Sequence, residues 1–357
     1  GLTPLKLQQC HAKFETMGLL VSHRHAEEED LGARKSTPVR FEPPASQSAG
    51  KPLLPPQSSA SSALGDSHPA EWMPPRITNA TTVVFVMTAR AHFDKRQGIR
   101  QTWGSNHTNV YFVVGPACPY PKFQRAHQLT CEKRQDQPNP IFTRPPGKEE
   151  EESEAYKQYV QQEDDRLLEE QRKYKDLVYT PRTESYRGLV SKLKEAYAWA
   201  VQNTKVDWIV KADDDTFVRV DTVEKLLQQY SPSNPTVVGR IIYGSPVHKT
   251  GKWADMEYHR KFYPPWAQGS CGHVVSRPVA EYIAQHKDTL YEYQGEDTSM
   301  AIWLDESNIK SSVVWAHSNA FVNEGDCFDR SFVIIGHELS PAKMRRCYNH
   351  VDEVTVA

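Results

Sequence analysis

Three consecutive aspartates are the residues of this chain best suited to hold a metal ion. The triplet consists of Asp213, Asp214 and Asp215, and it closely follows the apolar run 206–210. Like charges at this spacing raise one another's pKa, and a divalent cation that prefers oxygen, such as Mg²⁺, Ca²⁺ or Mn²⁺, is the usual remedy. An EF-hand calcium loop is disfavoured, because Phe217 stands where a ligand is required and Val218 where the turn glycine is required. The triplet is therefore either a cation site or a solvated acidic turn.

Two more polar groups could act on a ligand. Arg96 and Arg100 stand one helical turn apart, a spacing at which two guanidinium groups can bind a diphosphate. The alternative for these arginines is a solvated basic face of a helix. Glu296 and Asp297 precede an apolar helical stretch, and their position alone is equally consistent with a helix cap and a first-turn charge.

The elements that would position these residues belong to an α/β sheet. Residues 81–88 form a continuous β-branched run, which is typical of a strand buried on both faces, and residues 109–115 form a second one. The helix-compatible stretch 94–103 lies between them, so the order predicts a βαβ unit with parallel strands under helical cover. The run 206–210 predicts a further core strand with the triplet at its carboxyl end. Ligands bind at that edge in open α/β sheets, which favours a site over a solvated turn.

The remaining sequence predicts a stalk, one catalytic domain and an insertion. Residues 1–75 are rich in proline, serine and charge and lack the apolar content needed to offset the entropy of ordering. Residues 76–350 would form the domain, interrupted at 116–165 by a surface insertion whose acidic run we expect to be a solvated face. Further elements are expected at 164–173 (helix), 176–179 (strand), 185–202 (helix) and 221–230 (helix).

Composition limits the classes of function. The 357 residues carry a net charge of −2 and no basic patch interleaved with aromatic residues, which argues against a nucleic-acid partner. Six cysteines lack zinc-site spacing, and two pairs, Cys118 with Cys131 and Cys327 with Cys347, are close enough in sequence to bond, although spacing does not fix the connectivity. With the glycosylation sequons at Asn79 and Asn106, the cysteines favour the secretory lumen. No apolar stretch has the length of a membrane span.

Five sequence blocks, in order, resemble the β-1,3-galactosyltransferase family, glycosyltransferase family 31, and look closest to plant-like members. They are Val84–Gly104, Glu184–Lys192, Lys211–Phe217, Tyr263–Ala267 with Gly272 and Ser276, and Gly295–Ser299. The resemblance covers about residues 80 to 347. It implies an α/β fold of GT-A type, with a Rossmann-like mixed sheet flanked by helices, and an inverting, Mn²⁺-dependent transfer from a UDP-sugar to a glycan or glycoprotein acceptor.

The resemblance also assigns expected roles to individual residues. Asp215 would ligate Mn²⁺ together with His337, with His317 as the second choice of histidine, and Asp213 would face the ribose. Asp297 would be the general base that deprotonates the acceptor hydroxyl. The other donor-binding candidates are Arg90, Arg96, Arg100, Lys192, Asp214 and Trp266. The ring of Trp266 could lie on a sugar face or be a half-buried core side chain.

Several expectations remain open at this level. The chain has Glu184 and Gly188 where the family has aspartate and asparagine, and Gly188 suggests that the following helix begins late. The family's glycine-glycine-tyrosine is replaced by the longer run 270–273, which bears on specificity. The donor sugar is expected to be galactose, with N-acetylglucosamine or N-acetylgalactosamine as alternatives, and a catalytically silent sugar-binding relative is a second alternative. We expect a Golgi-lumen protein, attached to the membrane only through an N-terminal anchor that is not present in this chain.

Overall fold

The computed structural model describes residues 72–135, 147–324, 327–328, 332–336 and 338–355, and the structural statements below refer to these residues. All of them belong to one compact unit. The expected stalk lies outside the described residues except for 72–75, and part of the expected insertion, 136–146, also lies outside them. None of the described helices has the length and apolar character needed to cross a bilayer.

The described strands and helices alternate along much of the chain. In chain order, the strands are β1 Thr82–Met87, β2 Val110–Val114, β3 Leu177–Tyr179, β4 Trp208–Asp213, β5 Phe217–Val218, β6 Thr236–Gly239, β7 Ile241–Ile242, β8 Trp266–Ala267, β9 His273–Ser276, β10 Val314–His317, β11 Phe321–Val322 and β12 Ile334–Ile335. The helices are α1 Phe93–Arg100, α2 Lys148–Tyr174, α3 Leu189–Asn203, α4 Val220–Leu227, α5 Arg277–His286, α6 Glu296–Asp305 and α7 Pro341–Thr355.

A seven-stranded mixed sheet in the order β10-β6-β9-β4-β1-β2-β3 forms the centre of the fold. Strand β1 pairs in parallel with β2 and β4, as the βαβ pattern predicted, whereas β9 runs antiparallel to β4 and β6. Two small ladders, β11-β12-β5 and β7-β8, accompany it. The predicted α/β class with a mixed, helix-flanked sheet is confirmed.

Helices cover both faces of this sheet because its strands are apolar on both sides. Along β1, Val84 and Val86 pack into a core with α1, α2, α4 and α7, whereas Val83 and Phe85 pack into a second core with α3, α5 and α6. Successive strand residues point to opposite faces, so one continuous apolar run supplies both cores. The sheet is therefore the middle of three layers, and polar side chains collect at its edges.

The insertion is more ordered than its sequence suggested. Helix α2 begins at Lys148 rather than near Asp164, so the acidic run lies in a helix. Good helix formers and first-turn glutamates, which complement the helix dipole, explain the difference. The run is exposed as expected, but the helix's other end buries Leu167 and Glu170. Helix α2 thus carries a charged residue into the core.

Two other sequence expectations concern local structure. Helix α3 begins at Leu189, directly after Gly188, rather than at Ser185. The disulfides Cys118–Cys131 and Cys327–Cys347 join the two pairs whose spacing allowed bonding, and Cys271 is a buried free thiol.

Candidate functional site

Polar residues gather where the carboxyl ends of several strands meet. Strand register places Met87 of β1 opposite Asp213 of β4, and Lys211 of β4 opposite His273, the first residue of β9. Since β6 also ends opposite His273, at Gly239, the same edge holds the ends of β1, β4 and β6 and the start of β9. The aspartate triplet therefore lies at the edge where the sequence placed it.

One buried lysine connects the triplet to the acidic pair of helix α6. The Nζ atom of Lys211 lies 2.8 Å from Oδ1 of Asp213 and 3.0 Å from Oε1 of Glu296, and it also donates to the Gly269 carbonyl at 3.0 Å. Burial lowers the pKa of Lys211, but the two carboxylates outweigh burial, and the net pKa is raised. Lys211 therefore carries its charge at every physiological pH and holds both acidic segments together.

The carboxyls around Lys211 respond differently to it. Burial raises the pKa of Glu296, yet the opposing charge of Lys211 leaves the net value below its usual range. Burial raises the pKa of Asp213, and the positive charge of Lys211 lowers it. The negative charge of Glu296 raises it again, and the net result is a pKa of about 6.

Asp297 has the properties of a proton acceptor near neutral pH. Burial, followed by the negative charge of Glu296, raises the pKa of Asp297 to about 7. Its Oδ2 accepts a hydrogen bond from the Gly269 amide at 3.0 Å, and its Oδ1 accepts one from the Thr298 amide at 2.8 Å. A carboxylate held in place by two backbone amides, with a pKa close to the working pH, can act efficiently as a general base.

Two glycines allow the loop before β9 to approach these groups closely. A Cβ on Gly269 would lie 2.6 Å from Oε1 of Glu296, and a Cβ on Gly272 would lie 2.6 Å from the Lys211 carbonyl oxygen. Gly272 also has a φ of +70°, in the region that side chains disfavour. The backbone contact and positive φ therefore favour glycine at 272, whereas a side chain at 269 would displace the Glu296 carboxylate from its present place.

The three aspartates of the triplet occupy different environments. Asp214 is turned toward the start of helix α1, where it accepts from Thr88 Oγ1 at 2.7 Å, His92 Nδ1 at 2.6 Å and Lys95 Nζ at 2.7 Å. Burial raises the pKa of Asp214, but these partners outweigh it and lower the pKa to about 2. Both oxygens of Asp214 are thus bonded within the protein, where they fasten the start of α1 to the edge, and the expectation that Asp214 binds the donor stays a prediction.

Asp215, the third aspartate, also lies near Lys95. Its Oδ2 lies 3.8 Å from Lys95 Nζ. His337, the expected partner of Asp215, lies outside the described residues, but the chain on either side is placed at this edge. The Leu339 amide donates to the Asp215 carbonyl at 3.1 Å, and Gly336 packs directly against Ser270. The described residues alone contain no cluster of three or more histidine, cysteine or acidic side chains able to hold a metal ion.

Arg96 and Arg100 have carboxylate partners that the sequence did not predict. Both are engaged by carboxylates of the buried end of α2 and its following turn. Arg96 binds Glu170 in a bidentate pair at 2.8 Å and 2.8 Å, and Arg100 binds Asp176 at 2.8 Å and 2.7 Å. Arg96 is 1% exposed and Glu170 is fully buried. In this arrangement the two arginines pack α1 against α2, and their binding of a diphosphate stays a prediction.

Arg90 and Lys192 flank the end of β1. Arg90 donates to the Gly115 carbonyl at 2.8 Å and pairs with Asp164 of α2. Lys192 donates to the Thr88 carbonyl at 2.8 Å and to Glu184 at 2.7 Å. Both are buried at the predicted edge, which keeps them close to a nucleotide bound there, although each already has protein partners.

Trp266 and His317 are placed on the other side of the edge. Trp266 is half-buried in β8, packs with Tyr258 and Tyr263, and has an indole Nε1 that is buried without a partner among the described residues. His317 ends β10, with Nδ1 3.2 Å from the Ile241 nitrogen and Nε2 2.9 Å from Asn319. Both ring nitrogens of His317 are thus occupied, which disfavours it as a metal ligand.

Sequence reasoning missed two residues of this site. The sequence motif includes Lys211 but assigns it no role. A lysine inside an apolar strand, two residues before three aspartates, is itself a signal of a buried ion pair. His273 is fully buried, with Nε2 2.8 Å from the Tyr197 hydroxyl, and burial, then Lys211, lowers its pKa to about 3. The altered loop therefore ends in a neutral, internal histidine.

Comparisons with known proteins agree with this geometry. The model of the galactosyltransferase family matches residues 156–314. The UDP-GalNAc:beta-1,3-N-acetylgalactosaminyltransferase 2 of Xenopus laevis is 36% identical over 146 residues, which are 41% of this chain and 30% of that protein. The hydroxyproline O-galactosyltransferase GALT2 of Arabidopsis thaliana is 31% identical over 185 residues, 50% of this chain and 26% of that protein. The matches thus span less than a third of these relatives.

Among solved structures, the glycosyltransferase GlyE of Streptococcus pneumoniae TIGR4 aligns at 10% identity with a TM-score of 0.31, covering 76% of this chain and 60% of that one. The residues matched by the family model contain both the aspartate triplet and the Glu296–Asp297 pair. The resemblance to β-1,3-glycosyltransferases of the galactosyltransferase family, which the five sequence blocks indicated, is thus supported over residues 156–314.

Proposed function

We propose that this protein is an inverting β-1,3-hexosyltransferase that uses a UDP-sugar donor and Mn²⁺. The observation that carries the proposal is the ion-pair bridge through Lys211, which joins the aspartate triplet to the Glu296–Asp297 pair. A donor-binding carboxylate group and a proton acceptor are thereby fixed at one edge of the sheet. Transfer between two substrates requires both functions side by side.

In the proposed reaction, Asp297 removes the proton from the acceptor hydroxyl. The hydroxyl oxygen then forms a bond to the anomeric carbon while the bond to UDP breaks, and UDP leaves as an anion. A single displacement needs only one base, on the face opposite the leaving group, and converts an α-linked donor into a β-linked product. The pKa of about 7 makes Asp297 largely ionised at a slightly alkaline pH without making it a weak base.

The oxygen ligands at the edge fit a hard divalent cation. Asp215 would hold Mn²⁺, with His337 as its expected partner, and a bound Mn²⁺ would neutralise charge on the leaving diphosphate. Asp213 would face the ribose, and Arg90, Lys192 and Trp266 would line the donor pocket. The donor-binding roles of these residues are proposals carried over from the family resemblance.

The donor sugar is proposed to be galactose, with N-acetylgalactosamine as the first alternative. The Arabidopsis relative is named as a galactosyltransferase and the Xenopus relative as an N-acetylgalactosaminyltransferase. N-acetylglucosamine is a further possibility within the family. A silent sugar-binding relative is the remaining alternative, and the presence of Asp215 and Asp297 argues against it.

A donor and acceptor panel tests the proposal. UDP release would be measured from UDP-galactose, UDP-N-acetylgalactosamine and UDP-N-acetylglucosamine with galactoside, N-acetylhexosaminide, xyloside and peptide acceptors, with and without Mn²⁺. We expect one donor to be turned over, with loss of activity in Asp215→Asn but not in Asp221→Asn, a matched change in the exposed first turn of α4. Absence of turnover with every donor, or full activity of Asp215→Asn, would contradict the proposal.

We also propose that the protein works in the Golgi lumen as a type II membrane protein. Two disulfides support an oxidising compartment. Asn79 and Asn106 of the two sequons are exposed and could carry glycans. Digestion with peptide-N-glycosidase F should increase the gel mobility of the full-length protein from cells, and a mobility unchanged by the enzyme would count against this localisation.

A further inference from the structure

An exposed aromatic pair lies beside the proposed base and has no role in the mechanism above. Tyr186 precedes helix α3, and Trp253 lies in the long loop between β7 and β8. Their ring centroids are 6.3 Å apart at an interplanar angle of 41°. Trp253 is 52% exposed and Tyr186 is 38% exposed. Large aromatic side chains held together at the surface commonly mark a binding surface.

The loop that carries Trp253 is built on buried contacts. Asp255 is almost fully buried and accepts hydrogen bonds from the Tyr258 amide at 3.1 Å and from the Tyr263 hydroxyl at 3.0 Å. Lys249 donates to the carbonyls of Asp255 and Tyr258 at 2.7 Å and 2.6 Å. An indole exposed on so firmly anchored a loop is pre-organised to meet a ligand.

Two observations place this pair at the mouth of the site. The side chain of Gln294, three residues before Asp297, donates to the Lys252 carbonyl at 3.4 Å. Burial, followed by the charges of Glu296, Asp297 and Asp213, raises the pKa of the Tyr186 hydroxyl to about 12. The phenol therefore lies within the electrostatic field of the acidic pair.

A lysine ammonium accompanies the two rings. Lys252 Nζ lies 4.3 Å from the Trp253 ring and 5.8 Å from the Tyr186 ring. Among the described residues it has no carboxylate partner, so its three N–H groups remain available for hydrogen bonding. Flat apolar rings next to a free cationic donor suit a pyranose, which has an apolar C–H face and a rim of hydroxyls.

We propose that Tyr186 and Trp253 form the binding platform for a pyranose ring of the acceptor glycan, with Lys252 donating hydrogen bonds to its hydroxyls. The proposal rests on the proposed function, since it assigns the acceptor half of that reaction. A proline-rich peptide, which also docks on aromatic rings, is the competing occupant. The unpaired ammonium favours a sugar, because a proline ring offers it no hydroxyl.

Binding can be measured without relying on catalysis. In saturation-transfer NMR, methyl β-galactoside and methyl β-N-acetylglucosaminide would be added separately to the wild-type protein and to three variants. We expect the ring protons of at least one glycoside to receive saturation in the wild type and in Phe328→Ala, and much less in Trp253→Ala. Phe328 is the control because it is 49% exposed and its ring contact is with His350 of α7. Trp253→Phe should restore most of the signal.

The kinetic arm separates this proposal from the proposed function. Trp253→Ala should raise the KM for the acceptor by about 5- to 10-fold, consistent with the strength of a single aromatic contact, while UDP release from the donor without acceptor stays unchanged. If the wild type binds the glycosides but releases no UDP, the platform stands and the proposed function fails. Three results would overturn the platform: glycoside binding that is equal in Trp253→Ala and Phe328→Ala, glycoside binding that is absent from the wild type, or Trp253-dependent binding of a proline-rich peptide in its place.

Discussion

The acid side of the pH–rate profile should depend on Glu296, because Glu296 raises the pKa of the proposed base. A Cβ on Gly269 would lie 2.6 Å from Oε1 of Glu296 and 3.1 Å from Oδ2 of Asp297. The two oxygens are therefore at most about 6 Å apart, where unit charges interact by about 3 kcal/mol at an effective dielectric constant of about 20. One pKa unit corresponds to about 1.4 kcal/mol. With partial solvent screening, removal of the Glu296 charge should lower the pKa of Asp297 by about 1 to 2 units.

The perturbation is Glu296→Gln, which removes the charge but keeps an oxygen that can accept from Lys211. Loss of the Glu296 charge also leaves Lys211 less neutralised, and its positive charge acts on Asp297 in the same direction. The assay is kcat/KM for sugar transfer between pH 5 and pH 9. The wild-type rate should fall as pH drops through about 7, so that the rate at pH 6 is about tenfold below the plateau, as protonation of a single base requires. The variant, with a pKa lowered by about 1 to 2 units, should retain about half or more of its own plateau rate at pH 6.

Glu306→Gln provides the control, since Glu306 directly follows helix α6, the helix that begins with Glu296, and its carboxylate lies 3.9 Å from Arg260. Its profile should match that of the wild type. An acid limb that stays near pH 7 in Glu296→Gln, or moves upward, would refute the electrostatic reasoning. A wild-type limb near pH 4 would show that the reacting base is not a carboxyl with a raised pKa.

Three further predictions concern stability. Lys211→Met should lower the free energy of unfolding in urea by about 3 to 5 kcal/mol, because it leaves two buried carboxylates without their cation. Lys157→Met is the control: Lys157 and its partner Glu154 are 74% and 59% exposed, and this change should alter the free energy by less than about 1 kcal/mol. Equal losses in the two variants would contradict the ion-pair bridge. Arg96→Met should destabilise the fold by about 2 to 3 kcal/mol, because buried Glu170 loses its bidentate partner and is left with Arg100, at 2.7 Å. An unchanged donor KM of the folded enzyme would exclude the diphosphate role, whereas a raised donor KM at unchanged stability would support it. The pKa of Asp297 is raised in the folded state to about 7, so its ionisation costs the folded protein stability increasingly as pH rises from about 4 to about 7. The Tm of Asp297→Asn minus that of the wild type should therefore be larger at pH 8 than at pH 5. A Tm difference that is independent of pH would contradict the raised pKa.

Local patterns were enough to place the site. The continuous apolar runs at 81–88 and 206–210 predicted buried strands, which the structure pairs as β1 and β4, and the position of Asp213–Asp215 after the second run predicted the carboxyl edge. These patterns hold because a strand buried on both faces is mostly apolar, so charged residues collect near its end, and the buried Lys211 is the exception that needs carboxylate partners. The sequence could therefore indicate where the chemistry lies without indicating which partner each charge has.

Long-range ion pairs account for what the sequence did not predict. Arg96 meets Glu170 across a separation of 74 residues, and Lys211 meets Glu296 across 85 residues. No periodicity marks such pairs, because the tertiary fold alone brings their elements together. Separation in sequence also explains why Arg96 and Arg100 resembled a phosphate site. Their carboxylate partners, Glu170 and Asp176, lie at the end of α2 and just after it, far along the chain, and nothing in the acidic sequence of α2 marks that end as buried. Tyr186 and Trp253 likewise come from separate segments and form a pair only in the folded chain.

The account depends most directly on Asp297 as the group that accepts the proton of the acceptor hydroxyl. The decisive measurement is the rate of sugar transfer by Asp297→Asn, with the preferred donor, its acceptor and Mn²⁺, for protein whose circular dichroism matches that of the wild type. Loss of a general base should lower kcat by at least about 100-fold. Asp305→Asn, at the other end of the same helix and paired with Arg260 and Lys310, should retain the wild-type rate. Transfer by Asp297→Asn at the wild-type rate would contradict the assignment of this edge as the active site.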